Sequence, residues 1–131
     1  MPTNNNPSPF AFVLLDMIPG VGDVLTGGMD TMYVADDRAA GPTTGGVQKW
    51  TWTGTTWAQA ATFNIATTPI GFRGLAGSAV GGKVTLVAST ADNNINRLVV
   101  FVDEAGAVTS TIVASAPANT TFRGVALSPR N

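Results

Sequence analysis

A six-residue stretch, Gly71-Phe72-Arg73-Gly74-Leu75-Ala76, returns near the C-terminus as Thr121-Phe122-Arg123-Gly124-Val125-Ala126. Phe, Arg, Gly and the final Ala are identical, and Leu becomes Val. The offset, from position 72 to position 122, is 50 residues. Internal periods of about 20–50 residues mark solenoids, propellers and other arrays. The repeat therefore points to blade-like units of short strands.

The rest of the chain supplies such strands. Phe10 to Leu15 is apolar on both faces and reads as a central strand. A loop with Pro19, Gly20, Gly22, Gly27 and Gly28 follows. Thr31 to Ala35 is a second strand, closed by Asp36-Asp37. After a loop from Arg38 to Gly45, Gly46 to Trp52 alternates polar and apolar residues and predicts a third strand. Thr56 to Ile65 is the fourth, beyond a Thr53-Gly54-Thr55 turn. The order then recurs: Phe72 to Ala76, Lys83 to Ser89, Arg97 to Val102 and Val108 to Ser115. Phe122 to Leu127 is left as a surplus strand, and no run holds a capped helical pattern.

The expectation is an all-β, propeller-like protein with two four-stranded antiparallel blades and a surplus C-terminal strand. Strand spacing fits a β-sandwich too, and that is the alternative. The divisions are a flexible lead-in (1–9), a first blade (10–68), a second blade (69–118) and a closing strand (119–131).

Composition narrows the function classes. At 131 residues the chain can hold one domain with a real core. Only 11% of residues are charged, the net charge is −1, and the seven Lys and Arg residues are scattered. A phosphate-binding basic patch is missing, so no nucleic-acid partner is expected. The absence of Cys and His removes thiol nucleophiles, imidazole bases and their metal ligands together. The Phe10 to Leu15 run ends at Asp16 and is too short to insert in a membrane. Residues 1–9 carry no Lys or Arg, so no signal peptide is visible. The wealth of Thr, Asn and Gly leans towards an extracellular or cell-surface protein, in which case this chain is a mature form, a fragment or part of a longer precursor.

Three further segments carry a resemblance. Asp30-Thr31-Met32-Tyr33-Val34-Ala35-Asp36-Asp37, Gly45-Gly46-Val47-Gln48-Lys49-Trp50 and Gly54-Thr55-Thr56-Trp57 together resemble the blade pattern of bacterial β-propellers of the NHL and SMP-30-like kind. The segment from Asn119 to Pro129 is similar to the closing end of certain secreted bacterial propellers. The resemblance spans residues 10 to 129. It departs from that pattern in length, since propellers have typically four to eight blades. The first unit also lacks Phe-Arg-Gly at its opening strand.

Several residues are candidates for function. Phe72-Arg73-Gly74 and Phe122-Arg123-Gly124 read first as ties at a blade interface, where an arginine's five donors hold neighbouring units together. The rival reading is a lining that binds an anion or carboxylate. Trp50, Trp52 and Trp57 suit sugar faces, but alternation puts Trp50 and Trp52 on one face of one strand, where packing between blades explains them plainly. Asp30, Asp36, Asp37 and Asp92-Asn93-Asn94 offer oxygen ligands for Ca²⁺, but without EF-hand spacing the preferred reading is that they are ordinary turn residues. Otherwise no cofactor is expected. Asp103-Glu104 reads as a solvated turn. The expected function is a non-enzymatic structural or binding module. It would be a partial propeller that completes itself by self-association, as a trimeric ring or a filament. The alternatives are a glycan-binding lectin using the Trp cluster and, third, a propeller lactonase or lyase.

Overall fold

Eight strands form where β-branched and aromatic runs lie between turn residues in the computed structural model, which describes residues 6–39, 44–65 and 70–128. They are β1 (Pro9–Leu15), β2 (Thr31–Asp36), β3 (Gly46–Trp52), β4 (Trp57–Phe63), β5 (Phe72–Val80), β6 (Lys83–Thr90), β7 (Arg97–Glu104) and β8 (Ala107–Ser115). Each falls where alternation and turn residues predict it, with β5 running on from Ala76 to Val80. A single helical turn, Val24–Thr26, sits in the loop after β1, capped by the Asp23 carboxylate. Two hairpins are closed by two-residue turns with positive φ: Gly81-Gly82 between β5 and β6, and Ala105-Gly106 between β7 and β8.

The strands make two antiparallel sheets. Sheet 1 has the order β1-β2-β3-β4 and sheet 2 the order β5-β6-β7-β8. They pack on each other with β5 against β1 and β2. One apolar core lies between them. It draws Tyr33, Ala35, Val47 and Phe63 from sheet 1 and Phe72, Leu86, Val99 and Phe101 from sheet 2. The Phe63 and Phe101 rings meet across the junction with centroids 6.0 Å apart, and within sheet 2 Phe72 meets Phe101 edge-on at 5.4 Å. Burying each such side chain contributes about 1.5–3 kcal/mol.

Polar ties seal the same junction. The Tyr33 hydroxyl donates to Asp103 Oδ2 at 2.7 Å, and Lys49 Nζ donates to the same oxygen at 2.7 Å. Burial first, then the hydrogen bond and negative charge of Asp103, push the Tyr33 hydroxyl well above its ordinary pKa. Arg73 Nε donates to Asp37 Oδ2 at 3.2 Å, joining β5 to the end of β2. Asp103 is 5% exposed, so the solvated-turn reading of Asp103-Glu104 is corrected for its first residue. Neighbours in a strand point apart: Asp103 faces the core and Glu104 faces water.

This arrangement overturns the propeller expectation. The two inner faces cover each other, which is a sandwich of two sheets, and no blade geometry or blade repeat is present among the described residues. The resemblance to NHL and SMP-30-like blades is corrected with it. A four-stranded antiparallel meander is a layer common to blades and sandwiches, so its strand spacing did not separate them. The 50-residue repeat is not realised as equivalent elements either. Phe72-Arg73-Gly74 opens β5, whereas Phe122 to Leu127, expected as a surplus strand, forms none. Self-completion into a ring or filament lapses for the same reason, because its premise was an uncovered blade core. β1, read as central, is an edge strand of sheet 1. The expected boundary at 68 and 69, the start of the lead-in and the chain end from Pro129 lie outside the described residues.

Candidate functional site

Period-two alternation sorts β3 into two faces. Val47 joins the core between the sheets and Lys49 reaches Asp103 there. Gln48, Trp50 and Trp52 therefore point the other way, onto the outer face of sheet 1. Trp57 is the cross-strand partner of Trp52 and shares that face. All three tryptophans lie away from sheet 2. Trp50 is only 3% exposed, at the centre of a small second cluster with Met32 and Val34, flanked by Leu14 and Trp57. Its ring N–H donates to Gln48 Oε1 at 3.1 Å. Trp52 and Trp57 are half-buried, with ring centroids 5.8 Å apart and planes tilted by 60°. Trp57 Nε1 donates to Asp23 Oδ2 at 3.2 Å, which ties the helical turn to this face.

β1 extends the patch. Phe12 is 66% and Phe10 58% exposed, beside an apolar hollow of about 400 Å³ that reaches Met32 and Val34. Sequence reasoning missed both phenylalanines, because an apolar run without alternation hides which side chains are outward. Edge position, not composition, is what bares them. The arrangement is a shallow aromatic surface with the Gln59 amide and the Asp23 carboxylate beside it. Rings held by one apolar side while the other stays wet are suited to stacking on flat ligands.

The two Phe-Arg-Gly copies part company. Phe72 is fully buried in the core and Arg73 pairs with Asp37. Gly74 lets a later segment close in: a Cβ there would lie 2.6 Å from Ser89 Oγ and 3.1 Å from a Val125 methyl. Phe122 is half-buried, Arg123 is exposed, and Gly124 has open space where a side chain would stand. The structure nonetheless brings Arg73 and Arg123 to the wall of one cleft of about 520 Å³, with Phe10 and Asn93. The segment holding Arg123 is fastened by Asn96, which is 2% exposed. Asn96 Oδ1 accepts from Phe122 N at 2.7 Å and its Nδ2 donates to Phe122 O at 2.8 Å. Asn94 Oδ1 accepts from Asn119 N at 2.8 Å.

The carboxylates considered for Ca²⁺ are held by donors of the chain. Asp30 accepts from the backbone of Met17 and Ile18 and from the Thr31 hydroxyl. Asp36 is gripped by Arg38 through Nε at 2.8 Å and a terminal nitrogen at 2.7 Å, and accepts from Ser8 N as well. Burial alone would push the Asp36 carboxyl up, but its bonds from Arg38 and Ser8 outweigh that and hold it below the ordinary carboxylate value. The hydrogen bonds to Asp36, with the negative charges of Asp36 and Asp37, push the Arg38 guanidinium up. Asp92 accepts from Thr90 Oγ1 and from Arg97. Among the described residues no group of three or more Asp and Glu is placed to hold a metal ion. No family model matches the chain, and neither a curated protein nor a solved structure matches it.

Proposed function

We propose that the protein is a non-enzymatic, extracellular carbohydrate-binding module whose platform is the outer face of sheet 1. One observation carries the reading: the three tryptophans turn away from sheet 2, and the Trp52–Trp57 pair keeps ring surface in water. A soluble domain seldom leaves clustered large aromatics on one face without use. Sugar rings present flat C–H faces that stack on such rings, while their hydroxyls meet amides and carboxylates. Gln59, the cross-strand partner of Trp50, and Asp23, bonded to Trp57, supply these groups beside the tryptophans. The absence of His and Cys, and the engagement of Asp30, Asp36, Asp37, Asp92 and Asp103 with donors of the chain, favour binding over a lactonase or lyase chemistry.

The test is depletion of the protein from solution by insoluble polysaccharides, with calorimetry on soluble neutral oligosaccharides and tryptophan emission as a second signal. A shift of emission with saturable binding is expected. Trp52→Ala should weaken that binding by about tenfold or more, equal to about 1.4 kcal/mol, while the variant stays folded. Absence of binding across cellulose, chitin, xylan and mannan, or full affinity in Trp52→Ala, overturns the reading.

A further inference from the structure

We propose that the cleft between β1, β5 and the segment 119–125 is a second binding site, for a ligand bearing a single carboxylate, with Arg123 as its receptor. The Arg123 guanidinium makes no hydrogen bond or ion pair among the described residues, although it stands on the cleft wall. Its backbone is not loose. The buried Asn96 clamps the adjoining Phe122 through two hydrogen bonds, so the free charge is presented from a fixed position.

The other charges of the cleft are already matched. Asp92 is paired with Arg97 at 3.1 Å and Arg73 with Asp37 at 3.2 Å. Arg123 is therefore the one uncompensated charge there among the described residues, on a chain whose net charge is −1. A guanidinium presents a planar fork that fits a carboxylate through two parallel bonds. A dianionic phosphate is a poorer match, because Asp92 shares the wall and only one positive charge is left over. Asn93 adds an amide without a partner among the described residues. The Phe10 ring, 5.4 Å from the Arg73 guanidinium carbon, supplies an apolar side for the ligand's body. This site rests on charge and does not depend on the tryptophan face.

The probes are glucuronate, glucose, acetate and inorganic phosphate, titrated by calorimetry and by amide chemical shifts of residues 92–97 and 119–125. At these cleft amides glucuronate is expected to produce saturable shifts and glucose none. Arg123→Gln, at an exposed position, should leave thermal unfolding unchanged and weaken glucuronate by about tenfold or more, and raised salt should weaken the parent likewise. Acetate binding alongside glucuronate supports the site with free organic acids as its source; glucuronate alone supports it with uronic-acid residues of a glycan. Equal affinity for glucose and glucuronate, tighter binding of phosphate, no binding at all, or an unchanged Arg123→Gln variant each overturns it.

Discussion

Tyr33 shows how one side chain serves both sheets. Its ring packs in the common core and its hydroxyl reaches Asp103 on β7. Tyr33→Phe keeps the ring and removes that bond, and is expected to cost about 1–3 kcal/mol in urea unfolding. The raised pKa of this hydroxyl has a direction in pH. In the unfolded chain a tyrosine ionises near pH 10. Stability from keeping Tyr33 protonated is full below that value and falls as pH rises above it. Tyr33→Phe should lose this share of the alkaline decline, read as a flatter stability profile above pH 10. Asp36 acts in the opposite direction. Its lowered folded value means that its stabilisation is full above about pH 3.9 and is lost as pH falls through the folded value. Arg38→Gln should move the onset of acid unfolding to higher pH, and an unchanged onset would contradict the role given to that pair. From sequence, Asp36 reads as a turn residue or a Ca²⁺ ligand and Asp103 as part of a solvated turn. Arg38 is close to Asp36 in sequence, but Ser8, Tyr33 and Lys49 reach these two carboxylates from distant segments, and local pattern does not carry such contacts.

At the level of elements, alternation and turn chemistry made all eight strands legible, because both are local properties. What they could not convey was which face meets which. Trp50 and Trp52 were placed on one face correctly, yet that face proves to be the outer one. Trp50→Ala should still cost about 3–5 kcal/mol, since its ring is the centre of the small outer cluster. A near-neutral result in thermal or urea unfolding would show that the cluster contributes little. β8 presents the opposite hazard. It is a nine-residue edge strand without charge or proline, and Val108, Ile112 and Val113 are exposed on it. Such an edge invites pairing with other chains. Val113→Lys, at a position 55% exposed, should raise the temperature at which heated protein scatters light, with folded stability changed by less than about 0.5 kcal/mol. The same scattering curve in both proteins would clear β8 of that role.

For the molecule as a whole, the repeat was a misleading guide. The two Phe-Arg-Gly copies border one cleft but are not equivalent elements: Phe72 is sealed in the core and Arg123 stands in water. The candidate site was half legible. Its tryptophans and Arg123 were visible as residues, whereas Phe12 and the Asn96 clamp depended on edge position and on a fold-back that no local pattern announces. The sequential strand order has a consequence during synthesis. Every strand of sheet 1 pairs with a sequence neighbour, so its strand partners are all synthesised before sheet 2, whereas the cover for its core face is not. The end of sheet 2 at Ser115 follows the end of sheet 1 at Phe63 by 52 residues, so at about 5–20 residues per second sheet 2 is complete roughly 3–10 seconds later. We expect a chain ending at residue 69 to be digested by protease as readily as unfolded protein; resistance would show that sheet 1 stands alone. For those seconds the nascent chain carries Tyr33, Val47 and Phe63 uncovered, and the ribosome-bound half is the form of this protein most in need of a chaperone.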